Sequence, residues 1–310
     1  MVSTGAVAGE SLAMRAGHSG RETRKLLEAL AYLIPSFLIF FAFVFIPLVR
    51  TFWLGTQLTD PLGRPRAFVG FSHYQSLFTQ PDFLYSLSRS FLFALYTVPT
   101  TIVVSVILAL LGNLRLRRIG IFRIFYSFPI AVSAATTSLI FMYLFHPALG
   151  TVDYLIGLIG LKPVPWLVSA NTALPAISIT TVWLQLGLNT IILLAGMQDI
   201  PEDLYASARI DGAGSWRILR SITVPLLTPT LFFLLVVDTL ADFQTFTQVN
   251  IMTKGGPVDS TNLLVFSIYR QFYFNGQYGY AAAQSVMLFF IMLILTIIQF
   301  GVLERRVHYS

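Results

Sequence analysis

Six apolar runs, each about as long as a bilayer is thick, constrain this chain more than anything else in it. A helix needs about 20 consecutive apolar residues to cross a hydrocarbon core of ~30 Å. Residues 29–49, 91–111, 124–145, 173–197, 224–246 and 280–303 reach that length. The first of them, LAYLIPSFLIFFAFVFIPLV, holds no charged residue. Composition agrees: 11% of residues are charged, against about 25% in soluble domains. That leaves too little polar surface for a water-soluble globule, and the 27 phenylalanines suit a surface facing lipid. The expected fold is an all-α integral membrane domain of six transmembrane helices.

The first run is read as a retained span. It is much longer than the roughly 7–15 residues of a signal-peptide core, and a polar tail carrying Arg15, Arg21, Arg24 and Lys25 precedes it. Orientation follows from the basic residues. Thirteen of the 20 Lys and Arg fall on one side: those four, Arg115, Arg117, Arg118, Arg123, Arg209, Arg217, Arg220, Arg305 and Arg306. Positive-inside then places both termini in the cytoplasm, in agreement with an even number of spans. The expected organisation is a cytoplasmic tail at 1–28, a membrane domain at 29–304 and a short cytoplasmic tail at 305–310.

Several chemistries are excluded early. With no cysteine there are no disulfides and no thiolate metal sites. The four histidines (His18, His73, His146 and His308) are scattered without metal-binding spacing, so no metal site and no catalytic residue is assigned. No G-x-x-x-x-G-K-[ST] phosphate loop occurs, so any ATP is bound elsewhere. Outside the spans, Asp60-Pro61-Leu62-Gly63 and Lys254-Gly255-Gly256-Pro257 are turn chemistry, and 72–85 is read as a short interfacial helix. Neither internal repeats nor broken helices are evident in the pattern.

The insert between the fourth and fifth runs, QDIPEDLYASARIDGAGSWRILRSITVPLLTP, is the most informative stretch. Asp199 is read as a helix cap, with Pro201 in the first turn and Glu202 three residues on, a capping-box pattern. The helix runs over 202–210 and stops at Asp211-Gly212-Ala213-Gly214. Ser215 caps a second short helix at 216–221, and Val224-Pro225 restarts the chain into the fifth span. Two short helices with a glycine bend suit rigid docking, although an ordinary helical loop explains the same residues.

The run Ala206-Ser207-Ala208-Arg209-Ile210-Asp211-Gly212-Ala213, followed by Ile222-Thr223-Val224-Pro225, resembles the "EAA" loop of ABC-importer permeases, E-A-A-x-x-D-G-A with a later I-x-L-P. Two departures are visible: the signature Glu falls on Ala206, and the Leu falls on Val224. Glu202 lies one helical turn earlier and presents a carboxylate on the face of Ala206. The likeness extends to Phe68-Val69-Gly70-Phe71-Ser72-His73-Tyr74 and Gly255-Gly256-Pro257, as in carbohydrate permeases of the maltose type. Residues 261–269, Ala282-Ala283-Gln284-Ser285-Val286 and the tail Gln299-Phe300…Glu304…Val307…Tyr309 resemble the glycerol-3-phosphate branch. The resemblance implies a coupling helix at 198–225, with Glu202, Ala206, Ala208, Asp211, Gly212, Ala213 and Pro225 meeting an ATPase. It also implies a bacterial inner-membrane location and three kinds of protein partner: a second permease, an ATPase dimer holding ATP and Mg, and an extracytoplasmic solute-binding protein. No cofactor belongs to this chain, and nucleic acid is not an expected partner.

Ionisable groups inside a span are costly and usually functional. Asp238 and Asp242 share a face of the fifth run at i and i+4. Counted from residue 224 they stand about 21 Å and 27 Å in. Gln185 and Asn189 form a second i, i+4 polar pair on the fourth run, whose threonines also argue against lipid exposure, and Gln244 follows Asp242. These five residues are candidates to line a path for a polar solute, and for the two aspartates a second reading stays open: hydrogen bonds to neighbouring helices or to a companion permease. Gln284 is read as an interhelical hydrogen bond. The branch resemblance implies glycerol-3-phosphate or a glycerophosphodiester such as glycerophosphocholine as solute, with a disaccharide or oligosaccharide as the alternative. A phosphate dianion prefers cationic partners, and two aspartates lean toward a diester with a cationic head or a neutral sugar. A secondary transporter or a membrane enzyme is disfavoured, since neither repeat symmetry nor a catalytic cluster is present.

Overall fold

The computed structural model describes Glu28, residues 30–114 and residues 116–303. Most of both tails, with six of the thirteen cations used for orientation, and Arg115 as a seventh, lie outside the described residues. The described chain divides into two units, one ending at Leu54 and one starting at Gly55. In the first, α1 (Leu30–Leu54) is a 25-residue apolar helix. It widens at Phe41–Phe45, where the Ile46 N–H reaches back to the Phe41 carbonyl.

The second unit opens with a hairpin, β1 (Gln57–Thr59) against antiparallel β2 (Pro65–Phe68), closed by the expected Asp60–Gly63 turn. Within 72–85 a short helix does form, α2 (Ser72–Thr79), followed at once by α3 (Pro81–Gly112). At 32 residues α3 begins ten residues before the apolar run suggests. Hydropathy stops at Arg89 and the serines before it, but Pro81 starts the helix with its fixed φ. The buried face of α3 carries Ser86, Ser90, Thr97, Thr101, Ser105, Ala109 and Gly112. Such small side chains let helices approach closely in a membrane, where dispersion and interhelical hydrogen bonds drive association.

The third run is broken, contrary to the pattern read from sequence. It consists of α4 (Ile119–Ser127), a tight turn at Phe128–Ala131 and α5 (Ala134–Leu144), bent by 103°. Pro129 lacks the N–H that would continue α4. Ser133 is extended, and its hydroxyl accepts from the Thr136 N–H at 3.2 Å, capping a new helix. Gly187 admits this bend: a Cβ there would stand 3.0 Å from Ile130 N and 3.2 Å from Ser127 O.

After α6 (Thr151–Leu158), α7 (Ala173–Gln198) is the fourth span at nearly its expected bounds. Its Thr180, Thr181, Asn189 and Thr190 are all buried, as the polar stripe demands. The insert contains α8 (Glu202–Ile210) and α9 (Ser215–Leu226), and α10 (Thr228–Phe243) leaves α9 at 65°. The fifth span thus starts at Thr228 rather than 224. Pro225 does not restart the chain; it sits inside α9, and the break falls at Leu227, two residues before Pro229. With no N–H at 229, the Pro225 carbonyl takes the Thr228 hydroxyl instead, at 2.6 Å. Beyond α10 come α11 (Thr247–Met252), α12 (Leu264–Tyr269) and α13 (Tyr278–Leu303). Gln284 donates to Ser267 Oγ between α13 and α12 at 3.4 Å, as expected. Among the described residues four helices are long and apolar enough to cross a membrane alone, and counting each bent pair as one span gives six.

Candidate functional site

Two places carry the predicted residues: the insert after α7, and the buried contact of α3, α7 and α10. In the insert, α8 spans the residues that the sequence predicts, but its start differs. Asp199 is the last residue of the α7 end, in helical conformation (φ −75°, ψ −15°), so it does not cap α8. An N-cap needs extended backbone, and Pro201 supplies it (φ −56°, ψ 131°) with no side-chain cap bond. Ser215 likewise lies inside α9, with Gly214 at the cap position.

The end of α8 explains why Asp-Gly-Ala is there. Gly212 sits at φ +76°, and no atom lies within 4 Å of where its Cβ would be. Backbone conformation rather than space demands glycine. The Ala213 N–H bonds the Ala208 carbonyl at 2.9 Å, and the Gly212 N–H bonds Arg209 O at 3.1 Å. This is a Schellman closure, in which orphan carbonyls of the last turn are satisfied by the two residues after the cap. Ala208, Asp211, Gly212 and Ala213 are therefore one termination device. Glu202 and Ala206 are both exposed on α8, so the face they share is presented outward.

The insert is held at its root and open at its tip. Tyr205 packs with Ile222 and Leu226 against buried Met197, Ile200 and Leu227, and its hydroxyl lies 3.3 Å from Thr223 Oγ1. At the far end Ile210 is 86% exposed and Trp216 74%. Neither was singled out from the sequence, although a Trp flanking the glycine bend was a readable signal.

The second place is a ladder of polar side chains. Gln185 Nε2 donates to Asp242 Oδ1 at 2.8 Å, and one turn along, Asn189 Nδ2 donates to Asp238 Oδ2 at 2.6 Å. The two i, i+4 pairs found in the sequence thus meet as antiparallel rungs between α7 and α10. From α3, the Thr97 hydroxyl donates to Asp242 Oδ2, and Thr101 Oγ1 donates to Gln185 Oε1 at 3.1 Å. Asp238 is 3% exposed and Asp242 1%. A buried carboxylate is tolerable only where donors replace its water; Gln185, Asn189 and Thr97 supply those donors, and Thr101 holds Gln185 from behind. Because α10 begins at Thr228, Asp238 stands about 15 Å into it and Asp242 about 21 Å, closer to mid-membrane than the count from 224 implies.

Gln244 is not part of this ladder. It is the C-cap of α10, exposed, with Nε2 bonding back to Leu240 O at 3.1 Å. Sequence reasoning missed Thr97 and Thr101, whose i, i+4 spacing in an otherwise apolar span was the available signal.

The profile of binding-protein-dependent transport system inner membrane components matches residues 67–309. The chain belongs to that family. This permease is 34% identical over 286 residues to the sn-glycerol-3-phosphate transport system permease protein UgpA of Agrobacterium fabrum, covering 91% of this chain and 97% of the relative. The protein of the same name from Rhizobium meliloti is 35% identical over the same coverage. That of Pectobacterium atrosepticum is 33% identical, with 89% and 94% covered. In fold, the permease is similar to a chain of a bacterial ABC transporter involved in import of the acidic polysaccharide alginate, with TM-score 0.78 at 20% identity. That likeness covers 93% of the permease and 99% of the alginate chain. A structure of a bacterial alginate ABC transporter, in complex with a periplasmic protein bound to alginate pentasaccharide, gives 0.79 at 20% identity. The permease is an integral inner-membrane component of an ABC importer.

Proposed function

We propose that this permease forms half of the translocation pathway for sn-glycerol-3-phosphate or a glycerophosphodiester, driven by a separate ATPase dimer that docks on α8 and α9. The observation that carries the docking role is the rooted, outward-facing insert: a Schellman-closed helix whose tip exposes Ile210 and Trp216 while Tyr205 locks its base. An exposed apolar tip on a fixed stem is the surface a partner cleft would cover. Glu202 supplies the carboxylate that the family signature places at Ala206. ATP and Mg belong to the partner, a companion permease completes the pathway, and an extracytoplasmic binding protein delivers solute to the loops at the other face. Both termini then lie in the cytoplasm on the side of the insert.

The substrate assignment draws on the relatives' names and on the chemistry of the ladder. Gln185, Asn189, Asp238 and Asp242 put amides and carboxylates, and no guanidinium or ammonium, at the meeting of α7 and α10. Those groups suit the hydroxyls and cationic head of a diester such as glycerophosphocholine better than a bare phosphate dianion. In the conformation described they bond one another, so solute contact would come when the α7–α10 contact opens. The test has two parts. Affinity purification of the permease should bring an ATPase with Walker motifs and a second permease. Deleting the locus should abolish uptake of glycerol-3-phosphate or glycerophosphocholine and spare maltose. Loss of disaccharide uptake alone would overturn the substrate.

A further inference from the structure

The stretch between α5 and α7, at the opposite end of α7 from the insert, presents an apolar face that neither the coupling insert nor the polar ladder uses. Here α6 carries Val152, Asp153 and Ile156 on its inner side and Tyr154, Leu155 and Leu158 on its outer side. Leu155 is 55% exposed and Leu158 67%. Ile159 and Leu161 extend the same exposed surface, and Leu149 opens it. Between His146 and Lys162 the single acidic residue is Asp153, and it is turned inward. Its Oδ1 accepts from the Val164 N–H and from Trp166 Nε1, each at 3.0 Å. The exposed face is therefore uncharged until Lys162, where Gly160 at φ +80° has already turned the chain back.

We propose that residues 149–161 lie in the plane of the membrane as an interfacial anchor, with Tyr154, Leu155 and Leu158 in the headgroup–acyl boundary of the leaflet opposite the coupling insert. Chain geometry selects the lipid as occupant. The segment follows the end of α5 by five residues and precedes α7 by twelve, and Val152 and Trp166 pack in one cluster with Phe141 and Phe145, which holds α6 against the end of α5. Its apolar face is continuous in sequence with Leu139, Ile140 and Tyr143, exposed on α5. Beside the helix opens a hollow of about 510 Å³ lined by Pro147, Leu149, Thr151, Tyr154 and Pro163, with Asp153 at its wall. Interfacial helices bury such faces about 5–10 Å deep, and a Tyr at one edge with a Lys at the other is the pairing that headgroup depth favours.

The anchor has a mechanical meaning. Trp166, held by Asp153, packs at a tilt against Phe145 with ring centroids 5.0 Å apart, and Thr172 Oγ1 donates to Pro165 O. The outer end of α7 is thereby fixed to the leaflet, while its other end, about 39 Å away along 26 residues, carries the insert. Movement of the insert then pivots α7 about its outer end.

The chain has no cysteine, so Leu155→Cys, Leu158→Cys and Ala170→Cys each take a single NBD label. The complete transporter, reconstituted in phosphatidylcholine–phosphatidylglycerol vesicles, is the sample. Positions 155 and 158 should emit to the blue of 170, resist aqueous iodide and be quenched about twofold more by 5-doxyl than by 12-doxyl lipid, as a shallow interfacial depth requires. Position 170 should be quenched by iodide. Iodide quenching at 155 and 158 equal to that at 170 would overturn the anchor. Shielding from both iodide and doxyl lipids would overturn it in favour of a covering protein, and stronger 12-doxyl quenching would overturn the in-plane depth.

Discussion

The coupling insert and the α7–α10 ladder are neighbours in sequence, since the same two helices that carry the ladder enter and leave the insert. They are built on opposite principles. Every bond that shapes the end of α8 joins residues within five positions of each other, as between Ala213 and Ala208. Every rung of the ladder joins residues far apart, such as Asn189 and Asp238, or Thr97 and Asp242. The insert is exposed and specified locally, so it can be altered without disturbing the bundle. The ladder is buried and specified by tertiary packing, so removing a rung leaves its donors without partners. The proposed docking surface is of the first kind, and the alignment of the two helices rests on the second.

Gly212→Pro breaks the comparison most severely if the insert is the coupling element. Proline is fixed near φ −65°, Gly212 requires +76°, and the N–H that bonds Arg209 O is lost as well. Uptake should fall about tenfold or more, the rate equivalent of some 1.4 kcal/mol of misalignment. Membrane abundance and the thermal midpoint of the purified transporter should stay unchanged. Normal uptake in this variant would remove the coupling role; collapse of abundance would show that the insert is not separable from the bundle.

Asp242→Ala addresses the other side of the comparison. It strips the acceptor from Gln185 and Thr97 at once. A buried unsatisfied group costs about 1–3 kcal/mol, whereas interhelical hydrogen bonds in membranes average ~0.6 kcal/mol. A loss of about 2 kcal/mol is expected between those figures, and about 1 kcal/mol for Asp238→Ala, which strips Asn189 alone. Equilibrium unfolding in detergent measures both. Equal effects from the two substitutions would deny that the three-helix junction at Asp242 is the stronger rung.

Glu202→Ala should act more weakly, with uptake reduced about threefold and stability lowered by a few tenths of a kcal/mol through the lost first-turn carboxylate. A transport rate equal to that of the unaltered permease would mean Glu202 does not stand in for the signature Glu at Ala206. Together with Gly212→Pro, this variant separates the shape of the insert from its charge.

Legibility from sequence follows the same division. Hydropathy located the spans because desolvation is summed over twenty residues and tolerates local exceptions. It failed where backbone chemistry intervenes inside a run: Pro129 with Ser133 folds the third span back by 103°, and the break at Leu227, ahead of Pro229, moves the start of the fifth to Thr228. The Asp-Gly-Ala turn was readable because left-handed backbone leaves a residue-type signature. The capping box at Asp199 was misread because Pro201, two residues later, provides the extended backbone itself. Both halves of the ladder were visible as i, i+4 pairs, yet nothing within either run states which partner it meets. That pairing is a tertiary fact, as is the exclusion of Gln244, which depends on where α10 ends.

The smallest effect is expected at a third site, the β1–β2 turn, which is local like the insert but lies at the opposite face. Asp60 accepts from the Arg64 N–H at 2.8 Å and the Leu62 N–H at 3.0 Å, and its other oxygen meets Arg66 Nε at 3.1 Å. The backbone N–H of Arg64, with the backbone N–H of Leu62 and the guanidinium of Arg66, holds the carboxyl below its ordinary value of 3.8. Since the folded value is the lower one, the turn's contribution is complete above the ordinary value and is lost only as pH falls through the depressed one. Proton exchange at the Leu62 and Arg64 amides should therefore be insensitive to pH between 5 and 7 once corrected for intrinsic rates. Asp60→Asn should raise it throughout that range without shifting the thermal midpoint. A midpoint that moved with Asp60→Asn would place the turn with the ladder, as structure on which the bundle depends, rather than with the insert.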